Sequence, residues 1–128
     1  MAQGFPVLFS LEEANQQLDW LKSTMAEIQG ARNAILKIKP EIEPVLEKAI
    51  SNGQSHVTPQ LLPHFRTIKS KVEEIRSRGI VVRDVNTGLV DFPSVMDGRI
   101  VLLCWQYGES SIGYWHEADV GYSGRKPL

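Results

Sequence analysis

At Gly79 the spacing of apolar residues changes period, and that change constrains the fold more than any other feature of the chain. Before it, Leu11, Ala14, Leu18, Leu21, Met25 and Ile28 recur at alternating three- and four-residue intervals, and Leu61, Phe65, Ile68, Val72 and Ile75 do the same. Both are helical stripes. After it come four β-rich runs, IVVRDV, LVDFPSV, RIVLLCWQY and IGYWHEA, divided by the turn signals NTG, DG and GESS. Helices followed by strands on short turns predict an α+β domain, with an N-terminal helical hairpin packed on one face of a C-terminal four-stranded antiparallel meander.

Local signals place the element ends. Ser10-Leu11-Glu12-Glu13 is a capping box, so the first helix starts there and stops by Pro40. Pro44 suits the first turn of a short helix through Ile50, which the polar run SNGQSH ends. Thr58-Pro59 marks the start of the second long helix and Gly79 its end. The 128 residues are expected to form a single domain, with 10–79 helical, 80–118 sheet and 119–128 an irregular tail. At 42% hydrophobic the chain can bury a core without disulfides or a structural metal.

Charge narrows the partners. Fourteen Lys and Arg against fifteen Asp and Glu give a net charge of −1, so no long-range field favours nucleic acid or an anionic membrane. On the second helix Arg66, Lys69, Lys71, Arg76 and Arg78 are interrupted by Glu73 and Glu74, the pattern of a solvated face. One cysteine cannot form an internal disulfide, the N-terminus lacks the basic and apolar regions of a signal peptide, and no run is apolar enough to span a membrane. A cytoplasmic location is expected.

Turn chemistry then predicts register. With Gly88 left-handed in a three-residue loop, Val85 faces Leu89 and Arg83 faces Asp91. With Asp97-Gly98 as a two-residue turn, Met96 faces Arg99 and Asp91 faces Cys104. A five-residue last loop, 108–112, sets Cys104 against His116, whereas four residues would set it against Trp115. The five-residue loop is preferred because alternation then keeps Ile80, Val82, Val90, Phe92, Val101, Leu103, Trp105, Tyr107 and Trp115 together on the core face.

The opposite face would carry Arg83, Asp91, Cys104 and His116 in one row, with Val81, Leu102, Gln106 and Tyr114 around it. Cross-strand neighbours lie about 5 Å apart at Cβ, so these groups can meet. A Cys104–His116 pair with Asp91 is the minimum for nucleophilic catalysis, since a base favours the reactive thiolate. In the alternative reading Cys104 is a small buried hydrophobe, Arg83 and Asp91 form an ordinary ion pair, and His116 lies on a solvated surface. Cys, His and carboxylates also ligate metals, which makes His116, Glu117 and Glu109 candidate ligands, although no closely spaced ligand motif is present. His116-Glu117 has no second histidine four residues on. Arg99 flanks a turn, Glu109 sits at a hairpin tip, and Arg125, if the tail folds back, adds a cation beside Arg83 for an anionic ligand. His56 and His64 stand alone.

FSLEEAN, GLVDFP, DGR, LLCW, the GE of the last turn, YWHE and the closing GRKPL together resemble a bacterial domain-of-unknown-function family, number 2203. The resemblance spans essentially the whole chain and implies small cytoplasmic proteins, without an activity to carry over. It concentrates recognisable polar positions at Asp91, Arg99, Glu109, His116, Glu117 and Arg125, more charge than core packing calls for.

The leading expectation is therefore a protein-interaction or small-ligand-binding module, self-associating, acting through an exposed sheet face and the tail. Arg83, Arg99, Glu109 and Arg125 would serve a small anionic ligand or a protein partner. An enzyme is the alternative, with Cys104, His116 and Asp91 as a nucleophilic site or with a metal-dependent hydrolase centre. A helix-mediated adaptor using the 11–28 seam, which has a/d spacing, is the second alternative. No cofactor is implied, and a divalent metal is left open.

Overall fold

The computed structural model describes residues 5–51, 58–121 and 124–128. Ser10 caps the first helix as its sequence demands: its Oγ accepts from the Glu13 amide at 3.0 Å while Glu13 accepts from the Ser10 amide at 2.8 Å. The expected single helix is two, α1 (Leu11–Gln16) and α2 (Leu18–Ile38), with Gln17 the joint. Gly30 does not interrupt α2. Pro40 and Pro44 then favour a tight 3-10 turn, Pro40–Val45, before the short α3 (Leu46–Ser51). The second long helix, α4 (Leu62–Ser77), starts later than Thr58-Pro59 suggested, because Thr58 caps a preceding turn by accepting from Leu61 and Leu62.

Helices α2 and α4 form the hairpin, and their stripes are buried. Leu21, Met25, Ile28, Ile35, Phe65, Ile68 and Ile75 are each 0% exposed. They pack with Val90, Phe92, Leu103 and Trp105 from the sheet. The 11–28 seam is thus spent inside this molecule apart from Leu11, which is exposed. Among the described residues, no helix is long and apolar enough to cross a membrane.

The sheet has five strands rather than four, in the order β1 (Val81–Asp84), β2 (Leu89–Met96), β3 (Arg99–Gln106), β4 (Tyr114–Glu117) and β5 (Lys126–Pro127), all antiparallel. The tail expected to be irregular supplies β5. Its end closes on the preceding loop, where Leu128 donates to the Gly113 carbonyl.

Register follows the turns where the turn residues alone decide it. Asp97 and Gly98 both have positive φ (54° and 78°), and Met96 faces Arg99 and Asp91 faces Cys104 as expected. The two other turns differ. Val81 rather than Arg83 faces Asp91, and the ladder shifts between Val82 and Asp84. Helix side chains cause this, because Glu47 accepts from the Val85 amide, Gln29 donates to the Val85 carbonyl and Arg32 holds Asn86. Val85 leaves the ladder for the core, and Arg83 becomes the bulged residue.

In the last hairpin Cys104 faces Tyr114 and Leu102 faces His116, so the expected Cys104–His116 pairing is two residues out. The connection runs over 107–113 because Ile112 drops into the core and its amide binds Asn15 of α1. Tyr107, expected in the core, consequently lies 42% exposed outside the strand, edge-on to Trp105. A shift of two preserves parity, so His116 and Trp115 keep their expected faces.

Pro93 sits inside β2 without breaking it. Its carbonyl accepts from the Phe9 amide beyond the end of β1, and its missing N–H points to that same edge rather than at β3.

Candidate functional site

The second sheet face is not open at its centre. Asp91, Leu102 and Cys104 are 0% exposed and His116 is 2% exposed, although among the described residues no helix lies on that side. The C-terminal segment covers them. Residues 118–121 wall a cleft with Asp91 and His116, and the Arg125 guanidinium stacks 4.0 Å over the Tyr114 ring beside Cys104.

Because the register slipped by two, His116 is diagonal to Cys104 and meets Asp91 instead. His116 Nε2 lies 3.0 Å from Asp91 Oδ1, and Nδ1 lies 2.9 Å from the Glu117 carbonyl oxygen. Both ring nitrogens are therefore engaged. The other oxygen of Asp91, Oδ2, accepts from Arg83 Nε at 2.5 Å. Arg83 reaches Asp91 from the bulge rather than from the facing position, and it remains 43% exposed. The floor of the cleft is thus a buried carboxylate held by a buried imidazole on one side and a half-exposed guanidinium on the other. The cleft holds about 260 Å³ and is lined by Arg83, Leu89, Asp91, His116 and residues 118–121.

Cys104 lies beside this pair as a buried thiol. Burial pushes its thiol up to about 11, the Asp91 charge adds to that rise and Arg125 opposes it. From an ordinary value of 9.0, that rise makes the thiolate about 100-fold scarcer at neutral pH. Alkylation of the native, metal-free protein at neutral pH is expected to run at least about 100-fold slower than alkylation of the unfolded chain, and the rate should climb as pH approaches 11. Rapid native labelling at pH 7, followed by mass spectrometry, would contradict this packing.

The remaining candidates separate into two groups on opposite faces. Glu109 is a clamp of the last loop: its Oε1 accepts from the Gln106 amide at 2.8 Å and from Arg125 Nη2 at 2.5 Å, while its carbonyl accepts from Trp105 Nε1. Burial works against the Arg125 charge, but Glu109 and Cys104 together keep its pKa raised. Arg99, Glu117 and Lys126 cluster instead around Trp115 on the helix-facing side. The Arg99 hydrogen bonds at 2.8 and 3.1 Å hold the Glu117 carboxyl below its usual range. Arg83, Arg99 and Arg125 therefore do not converge on one ligand. Neither do His116, Glu117 and Glu109 converge on one metal.

The metal-ligand types that do meet are Asp91, Cys104 and His116, whose nearest ligand atoms all lie within 4.8 Å of one another and which form such a cluster among the described residues. Alternation had placed these three on one face. The contact of His116 with Asp91 depends on the two-residue shift, which no turn residue signals. His64 lies on α4 away from this row, and His56 lies outside the described residues.

No curated protein and no solved structure matches the chain. A family model does, described as Uncharacterized conserved protein (DUF2203) and matching residues 7–128, which takes in the helical hairpin, the sheet and the covering tail. The chain belongs to the DUF2203 family, a domain of unknown function.

Proposed function

We propose that this protein is a small-ligand-binding module whose ligand is an anion, a carboxylate or a phosphate, held in the cleft by Arg83. The carrying observation is how that arginine is mounted. Buried Asp91 takes its Nε, which fixes the guanidinium plane, and among the described residues no other hydrogen bond or ion pair holds this side chain, which lines the cleft. A guanidinium fixed on one edge presents a two-donor fork matched to carboxylate or phosphate oxygens, with little side-chain freedom left to lose on binding. The negative charge of Asp91 does not repel the ligand strongly, because the Arg83 guanidinium paired with it offsets that charge. Asp119 stands exposed on the wall and would exclude an anion too bulky to stay on the Arg83 side.

Thermal unfolding against a panel of inorganic phosphate, sulfate and small carboxylic acids tests this. A ligand at 100 times its Kd stabilises the folded state by about 2.7 kcal/mol, a readily measured shift. The shift should vanish in Arg83→Gln and persist in Arg99→Gln, whose guanidinium lies on the other face. No shift with any anion, or an equal one in Arg83→Gln, would refute the assignment.

A further inference from the structure

We infer that Asp91, Cys104 and His116 form a site for a divalent transition-metal ion at the floor of the Arg83 cleft. The geometry of the histidine carries the inference. A carbonyl oxygen only accepts, so the contact with Glu117 requires a hydrogen on Nδ1. In a neutral ring Nε2 is then a bare lone pair, yet it points at a carboxylate oxygen 3.0 Å away. Two lone pairs at that distance, both 0–3% exposed, require a positive centre between them. A second ring hydrogen would supply one. A metal ion supplies it better, because the third group at this point is a thiol.

Each proposed ligand also has the outer partner that metal ligands usually have. His116 donates Nδ1–H to a backbone carbonyl, Asp91 Oδ2 accepts from Arg83, and Cys104 lies against Arg125. A nitrogen and an oxygen 3.0 Å apart can both be reached at about 2.0–2.2 Å by zinc or a similar ion, and the Cys104 sulfur, within 4.8 Å of both, moves inward to bind at about 2.3 Å. On binding, the Cys104 S–H bond breaks, its proton leaves to solvent and the sulfur electron pair forms the metal bond. A dication with one carboxylate and one thiolate is then neutral overall. With three protein ligands, the fourth position would open to the cleft that Asp91 and His116 line. The mixture of one soft sulfur, one imidazole and one oxygen favours zinc over calcium or magnesium.

Cobalt reports on sulfur ligation directly. Full-length protein is treated with chelator, exchanged into non-coordinating buffer without added anions, and titrated with Co²⁺ while absorbance and released protons are followed. The expected result is one ion per chain, a near-ultraviolet sulfur-to-cobalt charge-transfer band, release of at least one proton and displacement by equimolar Zn²⁺. Cys104→Ser should lose the band entirely and His116→Asn should weaken binding by more than 10-fold, with circular dichroism confirming that both fold. Arg83→Gln, removing an outer partner, should weaken it about 10-fold. No binding to the wild type, or binding without the band, overturns the site. Because no anion is present, either result leaves the anion assignment at Arg83 to its own test.

Discussion

Replacing Asp91 with alanine is expected to destabilise the metal-free protein by about 3–5 kcal/mol, lowering the thermal midpoint on the order of 10 °C. Asp91 is 0% exposed and is the common acceptor of His116 and Arg83. Alanine leaves a buried imidazole nitrogen with no partner and a guanidinium detached from its mount, while opening a small cavity. Asparagine separates charge from shape. Its oxygen can still accept from Arg83 while its Nδ2 donates to the Nε2 lone pair of a neutral ring, so Asp91→Asn should cost less than half as much. Chemical denaturation of both variants with chelator present measures this, and a cost under about 1 kcal/mol for Asp91→Ala would show that the row contributes little to the fold.

Gly88→Ala should cost about 2–4 kcal/mol, whereas Gly98→Ala should cost about 1 kcal/mol. Both glycines have positive φ, at 70° and 78°. They differ in what a side chain would meet. A Cβ at Gly88 would lie 2.6 Å from Tyr107 Cβ and 3.3 Å from Met25 Cγ, while nothing lies within 4 Å at Gly98. The carbonyl of Gly88 also accepts from the Tyr107 amide at 2.9 Å, so the two segments cannot move apart freely. Asparagine tolerates the left-handed region, and it should rescue most of the loss at position 98 but little at 88. Equal costs at the two sites would mean that the first hairpin yields to the added methyl group.

These two residues also show where sequence reasoning reaches. Turn chemistry alone pointed to Gly88 and to the Asp97-Gly98 turn, and through the latter to Asp91 facing Cys104. The faces of Asp91, Cys104, Trp115 and His116 were readable too, because alternation survives an even shift in register. The Arg83–Asp91 ion pair was readable as well, but the contact of His116 with Asp91 was not. His116 arrives there because Ile112 is drawn into the core near Asn15, and Arg83 reaches Asp91 from a bulge rather than from the facing position because Glu47 and Gln29 pull Val85 off the ladder. Glu109 looked like a solvent-exposed hairpin tip, and nothing nearby in sequence announces that Arg125 returns to meet it.

The change of period at Gly79, the capping box at Ser10 and the Asp-Gly turn determine an α+β domain with a helical hairpin and an antiparallel sheet, because each depends on interactions within a few residues. The cover over the second face and the direct contact of His116 with Asp91 were decided only in the folded chain. Both depend on contacts between segments distant in sequence: side chains of α1, α2 and α3 reset two turns, and a ten-residue tail with no strong periodicity of its own finds its place by pairing with β4 and stacking on Tyr114. Local patterns carry no record of such long-range partners, since burial and pairing there are set by where the rest of the molecule already stands.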